Sequence, residues 1–150
     1  VLCSAFMDNE VSNPYNSIKQ ITDIDTSDIH IIDLHGEATG EKEALAQVFD
    51  GKVTAILGTH THVQTNDERI LPKGSAYISD VGMCGSSISV LGFESESVIN
   101  KIIFGKDTKF SLKESGDYIF NAVILNIDNL TNKCVEIKKV RIDSYEKNRH

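Results

Sequence analysis

Apolar positions along this chain arrive in short runs that switch between two periods. His30-Ile31-Ile32-Asp33-Leu34 and Val53-Thr54-Ala55-Ile56-Leu57 are compact, rich in β-branched residues and bounded by turn formers, which predicts two buried strands. Between them, Glu41 to Phe49 has helical spacing, with Ala44, Leu45, Val48 and Phe49 in one stripe. Thr39 is placed to cap that helix, Glu41 and Glu43 favour the positive end of its dipole, and Gly51 follows as a C′ residue. Strand, helix and strand in this order predict a βαβ unit and an α/β fold. A parallel crossover puts the C-terminal ends of both strands on one sheet edge, where open α/β sheets bind ligands.

The remaining pattern is less regular. Val1 to Phe6 is an apolar, strand-like opening, and Asp8 to Tyr15 is turn-rich. A short helix is predicted near Ser17 to Asp23, a turn at Leu71-Pro72-Lys73-Gly74, and a strand at Ala76-Tyr77-Ile78. Asp80 to Ser87 is a glycine- and serine-rich loop, permissive for close backbone approach to a ligand. Glu94 to Ile103 reads as a helix, and Tyr118 to Ile142 as two long strands joined across Asp128 to Lys133. In the second of these strands Val135 and Ile137 share one parity and Val140 and Ile142 the other, which predicts a β-bulge near Lys138-Lys139.

Composition narrows the classes. The 150 residues suffice for one domain with a real core, and 15 basic against 22 acidic residues give a net charge of −7. That balance argues against a nucleic-acid duplex as main partner. A small anionic substrate stays compatible, because bound cations invert the local field. No apolar run approaches the ~20 residues of a membrane helix. Cys3, Cys84 and Cys134 fit neither a disulfide framework nor a zinc knuckle, so the expected location is the reducing cytoplasm. Cys84 reads as a structural or incidental thiol, and Arg69 either as a phosphate contact or as an ion-pair partner of Asp67 or Glu68.

The candidate chemistry lies just beyond the two strands. His35 ends the first, and Gly58-Thr59-His60-Thr61-His62 follows the second. In extended backbone, imidazoles at i and i+2 project to the same side, so both can reach one metal centre. Neutral imidazoles suit zinc, iron or manganese better than magnesium. A ligating imidazole needs its other nitrogen anchored, and Asp33, Glu37 and Asp80 are the nearby carboxylates for that role. His30, of opposite strand parity to Asp33, and terminal His150 are not expected to bind metal.

The string Gly58-Thr59-His60-Thr61-His62-Val63-Gln64-Thr65-Asn66-Asp67-Glu68-Arg69-Ile70-Leu71-Pro72-Lys73-Gly74, continuing to Tyr77-Ile78-Ser79-Asp80-Val81-Gly82-Met83, resembles the bacterial YmdB-like metallophosphoesterases of the calcineurin-like superfamily. Asp33-Leu34-His35-Gly36-Glu37-Ala38-Thr39-Gly40-Glu41-Lys42 resembles the segment ahead of that family's helix. The resemblance implies a β-sandwich flanked by helices, two divalent metal ions (iron or manganese), and hydrolysis of phosphodiesters, notably 2′,3′-cyclic nucleotides. By the same resemblance His35 and His60 bind one metal and His62 the other. Cys84 and Ser86 stand where relatives more often carry threonine and proline.

The family's first half carries an aspartate motif on its first strand, a bridging carboxylate and an Asn-His pair whose histidine is the general acid. This sequence has no Asn-His pair. The expectation is that residues 1–150 are the C-terminal portion of a single metallophosphoesterase domain, incomplete on its N-terminal side and inactive alone. Two other readings stay open: a non-catalytic metal- or nucleotide-binding regulatory module, and a complementing subunit that needs an N-terminal partner chain. Association into a homo-oligomer is also left open.

Overall fold

The computed structural model describes residues 1–5 and 11–147, with the side chains of 146 and 147 left out. The chain divides into two compact units, Val1–Gly82 with Val123–Lys139, and Met83–Ala122 with the chain from Val140 onward.

The first unit is an α/β arrangement. Helix α1 (Pro14–Ile24) is longer than the pattern predicted, because Asn13 caps it through a bond from Tyr15 N and Pro14 occupies its first turn. Strand β1 (Ile31–His35) leads through α2 (Thr39–Phe49) to β2 (Ala55–Thr59), and the two strands pair in parallel with His35 opposite Thr59. Strands β3 (Arg69–Ile70) and β4 (Ala76–Ile78) complete a four-stranded sheet of order β1-β2-β4-β3, with β2–β4 parallel and β3–β4 antiparallel. The βαβ unit is therefore present.

Three details depart from the sequence pattern. β1 is only partly covered: Leu34 is buried but Ile31 is 53 % exposed. Helix α2 begins at Thr39, so the cap position falls to Ala38, which makes no side-chain cap bond. Its inward face is Lys42, Leu45, Ala46 and Phe49, while Ala44 and Val48 are not buried. Leu45 and Phe49 fit the predicted stripe. A buried lysine turns the rest of the helix, since binary patterning counts Lys as a surface residue.

Alternation along β2 and β4 sorts the core into two faces. Ile56 and Tyr77 join Cys3, Ile18, Leu34, Leu45, Ala46, Phe49, Val53 and Leu71 on the helix side. Ala55, Leu57 and Ala76 meet Leu125, Cys134 and Ile137 on the other side. The latter three come from the long strands β6 (Tyr118–Ile127) and β7 (Cys134–Asp143). Along β7, Ile137 and Lys139 and then Val140 and Ile142 are partly buried, a change of parity between Lys139 and Val140, whereas Val135, expected to share the face of Ile137, is exposed.

Side chains tie the unit together at both ends. Asp50 accepts from Lys73 N at 2.9 Å and Ser75 N at 3.2 Å, while Ser75 Oγ accepts from Gly51 N at 2.8 Å and donates to Val53 O. The opening segment bridges β1 at Leu2 rather than forming a full strand, and Phe6 lies outside the described residues. Glu41 holds it through Ser4 N, Ser4 Oγ and Ala5 N, each at 2.9 Å. Burial pushes the Glu41 carboxyl up, but these bonds outweigh it and hold the group below its ordinary 4.5. A lowered folded-state pKa means stability that is present above the ordinary value and lost as pH falls through the folded value. Glu41→Gln should therefore lower urea stability at pH 7, and the gap to the parent should close in acid, as chemical denaturation at pH 7 and pH 3 would show.

The second unit holds β5 (Gly85–Ser86), which pairs antiparallel with the start of β6, and α3 (Ser95–Val98), which continues as a π-helical turn over Ile99–Ile103. The predicted helix is thus present with a change of winding midway. A terminal turn, α4 (Ser144–Lys147), follows β7. Cys3, Cys84 and Cys134 are all free thiols. Among the described residues no helix is long and apolar enough to cross a membrane.

Candidate functional site

The C-terminal ends of β1 and β2 deliver His35 and His60 to one place. Their rings lie edge-to-face, centroids 5.0 Å apart and planes at 79°, and His60 Nδ1 is 3.3 Å from His35 Nε2. The strand register explains the meeting, because His35 pairs with Thr59, one residue before His60.

The backbone of the His-x-His segment is not extended. β2 ends at Thr59, and His60 and His62 have φ of 127° and 66°. The i, i+2 geometry expected from extended backbone does not apply. Positive φ is costly for residues with a Cβ and concentrates where the surroundings fix the conformation. His62 is exposed, and no group of three or more His, Cys, Asp or Glu side chains among the described residues is placed to hold one metal ion.

The supporting carboxylates divide into three roles. Thr59 Oγ1 donates to Asp33 Oδ1 at 2.7 Å and lies 3.0 Å from His35 Nδ1. A hydroxyl has one proton, so with that proton on Asp33 it must accept from His35 Nδ1–H. A neutral His35 then turns the lone pair of Nε2 towards His60. Glu37 Oε2 contacts His60 Nε2 at 2.9 Å. Asp80 touches neither ring: its Oδ2 accepts from Thr61 N at 2.7 Å and its Oδ1 from Gly82 N at 2.8 Å. Thr59, absent from the predicted set, could have been found from its hydroxyl opposite His35 in the parallel register.

Two nitrogens each about 2.1 Å from a shared ion stand about 3.0–3.4 Å apart at tetrahedral to octahedral angles. The 3.3 Å gap between His35 Nε2 and His60 Nδ1 fits that span, and neutral ring nitrogens suit a borderline transition metal. The geometry supplies two donors for one ion.

Other sequence candidates lie elsewhere. Arg69 pairs with Glu43 Oε1 at 2.5 Å, is 3.9 Å from Asp67 Oδ2 and stacks 4.8 Å over the Tyr77 ring, while Glu68 pairs with Lys139 at 3.2 Å. The Glu43 partner, 26 residues distant, was invisible to local pattern. Thr65 and Ser79 outweigh the effect of burial on Asp67 and hold its carboxyl low. His30 Nε2 is 3.8 Å from Asp25. His150 lies outside the described residues. In the second unit, exposed Cys84 contacts Asn121 O at 3.5 Å, and Ser86 is buried in β5.

Fold and site together define an α/β protein with a paired-histidine cluster at the C-terminal edge of a parallel strand pair. The chain belongs to the YmdB-like protein family, whose model matches residues 1–140. It is 44 % identical over 133 residues to a Mycoplasma genitalium protein named as a candidate phosphatase/phosphodiesterase, covering 88 % of this chain and 47 % of that one. It is 46 % identical over 112 residues to the 2′,3′-cyclic-nucleotide 2′-phosphodiesterase of Bacillus subtilis, covering 75 % of this chain and 42 % of that one. A crystal structure of a Mycoplasma pneumoniae protein described as a novel phosphatase superposes with TM-score 0.88 and 39 % identity, over 95 % of this chain and 51 % of that one. A hypothetical protein from Thermus thermophilus matches with the same TM-score, 0.88, at 34 % identity, over 95 % of this chain and 55 % of that one. The chain spans about half the length of the curated relatives it matches.

Proposed function

We propose that this chain furnishes part of a dinuclear metal centre for phosphodiester hydrolysis, with 2′,3′-cyclic nucleotides as the substrate class and iron or manganese as the metal. The reading is carried by the 3.3 Å approach of His35 Nε2 to His60 Nδ1 at adjacent parallel strand ends. The B. subtilis relative is named for this reaction. His35 and His60 would hold one ion and His62 the second. A bound divalent cation supplies Lewis-acid chemistry, acidifying water and drawing charge from phosphoryl oxygens.

The chain's own residues prepare that site. Thr59 and Asp33 keep the His35 proton on Nδ1, Glu37 orients His60, and Asp80 fixes the peptide that follows it. Two ions need more ligands than three histidines, so the bridging carboxylate and the general acid would come from residues outside this sequence. The chain alone would not turn over.

Titration with Mn(II) and Fe(II), with parallel assays on 2′,3′-cyclic AMP and bis(p-nitrophenyl) phosphate, tests this. The expected result is metal binding that His35→Ala removes, without hydrolysis by either protein. Metal-dependent turnover by the chain alone would show that the site needs nothing more. Absence of metal binding by folded protein would overturn the ligand assignment.

A further inference from the structure

Lys42 is the anomaly of helix α2: its side chain is 0 % exposed and it lies on the inward face with Leu45, Ala46 and Phe49. An aliphatic residue would fill that position without taking an ammonium from water. The stem runs past Gly58, where a Cβ would come 3.1 Å from Lys42 Cδ. Its Nζ reaches Thr59 O at 3.4 Å and stands 3.9 Å from Asp80 Oδ2, whose carboxylate is only 1 % exposed. The same Asp80 oxygen accepts from Thr61 N.

These contacts bracket one residue. Lys42 holds the carbonyl before His60 directly and, through Asp80, the amide after it. His60 itself has φ 127°, a conformation that a residue with a Cβ does not hold unaided. We propose that Lys42 is a positioning residue that, acting with Asp80, fixes the positive-φ backbone of His60 and so sets the imidazole against His35. The inference rests on the metal-site reading for its consequence, but the backbone claim stands without it.

Two measurements on the full chain separate these levels. In Lys42→Met, amide hydrogen exchange at Thr61 should accelerate about tenfold or more, while Ile56 and Tyr77 in the sheet keep their protection. Mn(II) affinity, read from the electron paramagnetic resonance signal of the free ion, should fall about 10- to 100-fold. Lys42→Gln, which shortens the side chain and removes its charge, should show the same pattern and decides the matter if Lys42→Met does not fold. Unchanged Thr61 exchange, or a uniform loss of protection across the sheet, would overturn the positioning role. If the parent protein binds no Mn(II), the metal reading fails, and the exchange data still decide the role of Lys42.

Discussion

Replacing His60 by glycine is expected to raise the melting temperature while weakening the Mn(II) binding proposed above. The φ of 127° at His60 belongs to a region that costs a non-glycine residue about 1–3 kcal/mol. Glycine relieves that strain, and the greater freedom it gives the unfolded chain returns about 0.4–1 kcal/mol. The lost contact to Glu37, whose side chain is 57 % exposed, weighs little. A net gain of about 1 kcal/mol corresponds to roughly 2–4 °C for a chain of this size. Metal affinity should meanwhile fall about a hundredfold or more, beyond the loss from removing a supporting group. His60→Ala provides the contrast, because it loses the ring and keeps the strain. Thermal circular dichroism and a Mn(II) titration on both variants suffice, and equal destabilisation of the two would refute the strain argument.

Gly58→Ala should be the most damaging single change in the first unit. A Cβ there would sit 1.8 Å from Ser79 O and 2.4 Å from Ser79 C, both backbone atoms. Neither strand can easily yield, because β2 and β4 are paired through Leu57 and Ile78 and Val81 N donates to Gly58 O at 2.9 Å. A cost of about 3–5 kcal/mol is expected, a large share of ordinary domain stability. Gly40→Ala is the control: nothing lies within 4 Å of its added Cβ, and in helix α2 it should gain about 0.5–1 kcal/mol. Urea unfolding midpoints decide both, and a mild effect at Gly58 would mean that β2 and β4 separate more easily than their pairing indicates.

The parts of this fold legible from sequence were those set by local period. The two β-branched runs, the helix between them and the paired tail strands follow from apolar spacing and turn residues, and they placed His35 and His60 on one edge. What stayed hidden depends on partners distant in sequence. Lys42 reads as surface until its buried partner Asp80 is known, and that error displaced the predicted stripe to Ala44 and Val48. Arg69 does pair with its neighbour Asp67, but Glu43, its closer partner, comes from across the fold. The His-x-His segment departs from extended geometry because β2 ends at Thr59. Nothing local signals a positive φ at histidine. The part played by Thr59 shows only once the strand register is known, where its hydroxyl links Asp33 to His35.

The Asp50 and Ser75 bonds give the sheet one stiff end. They stitch the end of α2, the start of β2 and the turn before β4 at the edge opposite the histidines. With Lys42 and Asp80 pinning the histidine end, the sheet resembles a beam held at both supports. If the histidines hold an ion as proposed, fitting ions of different radius would fall to the rings of His35 and His60 and not to the span between the supports.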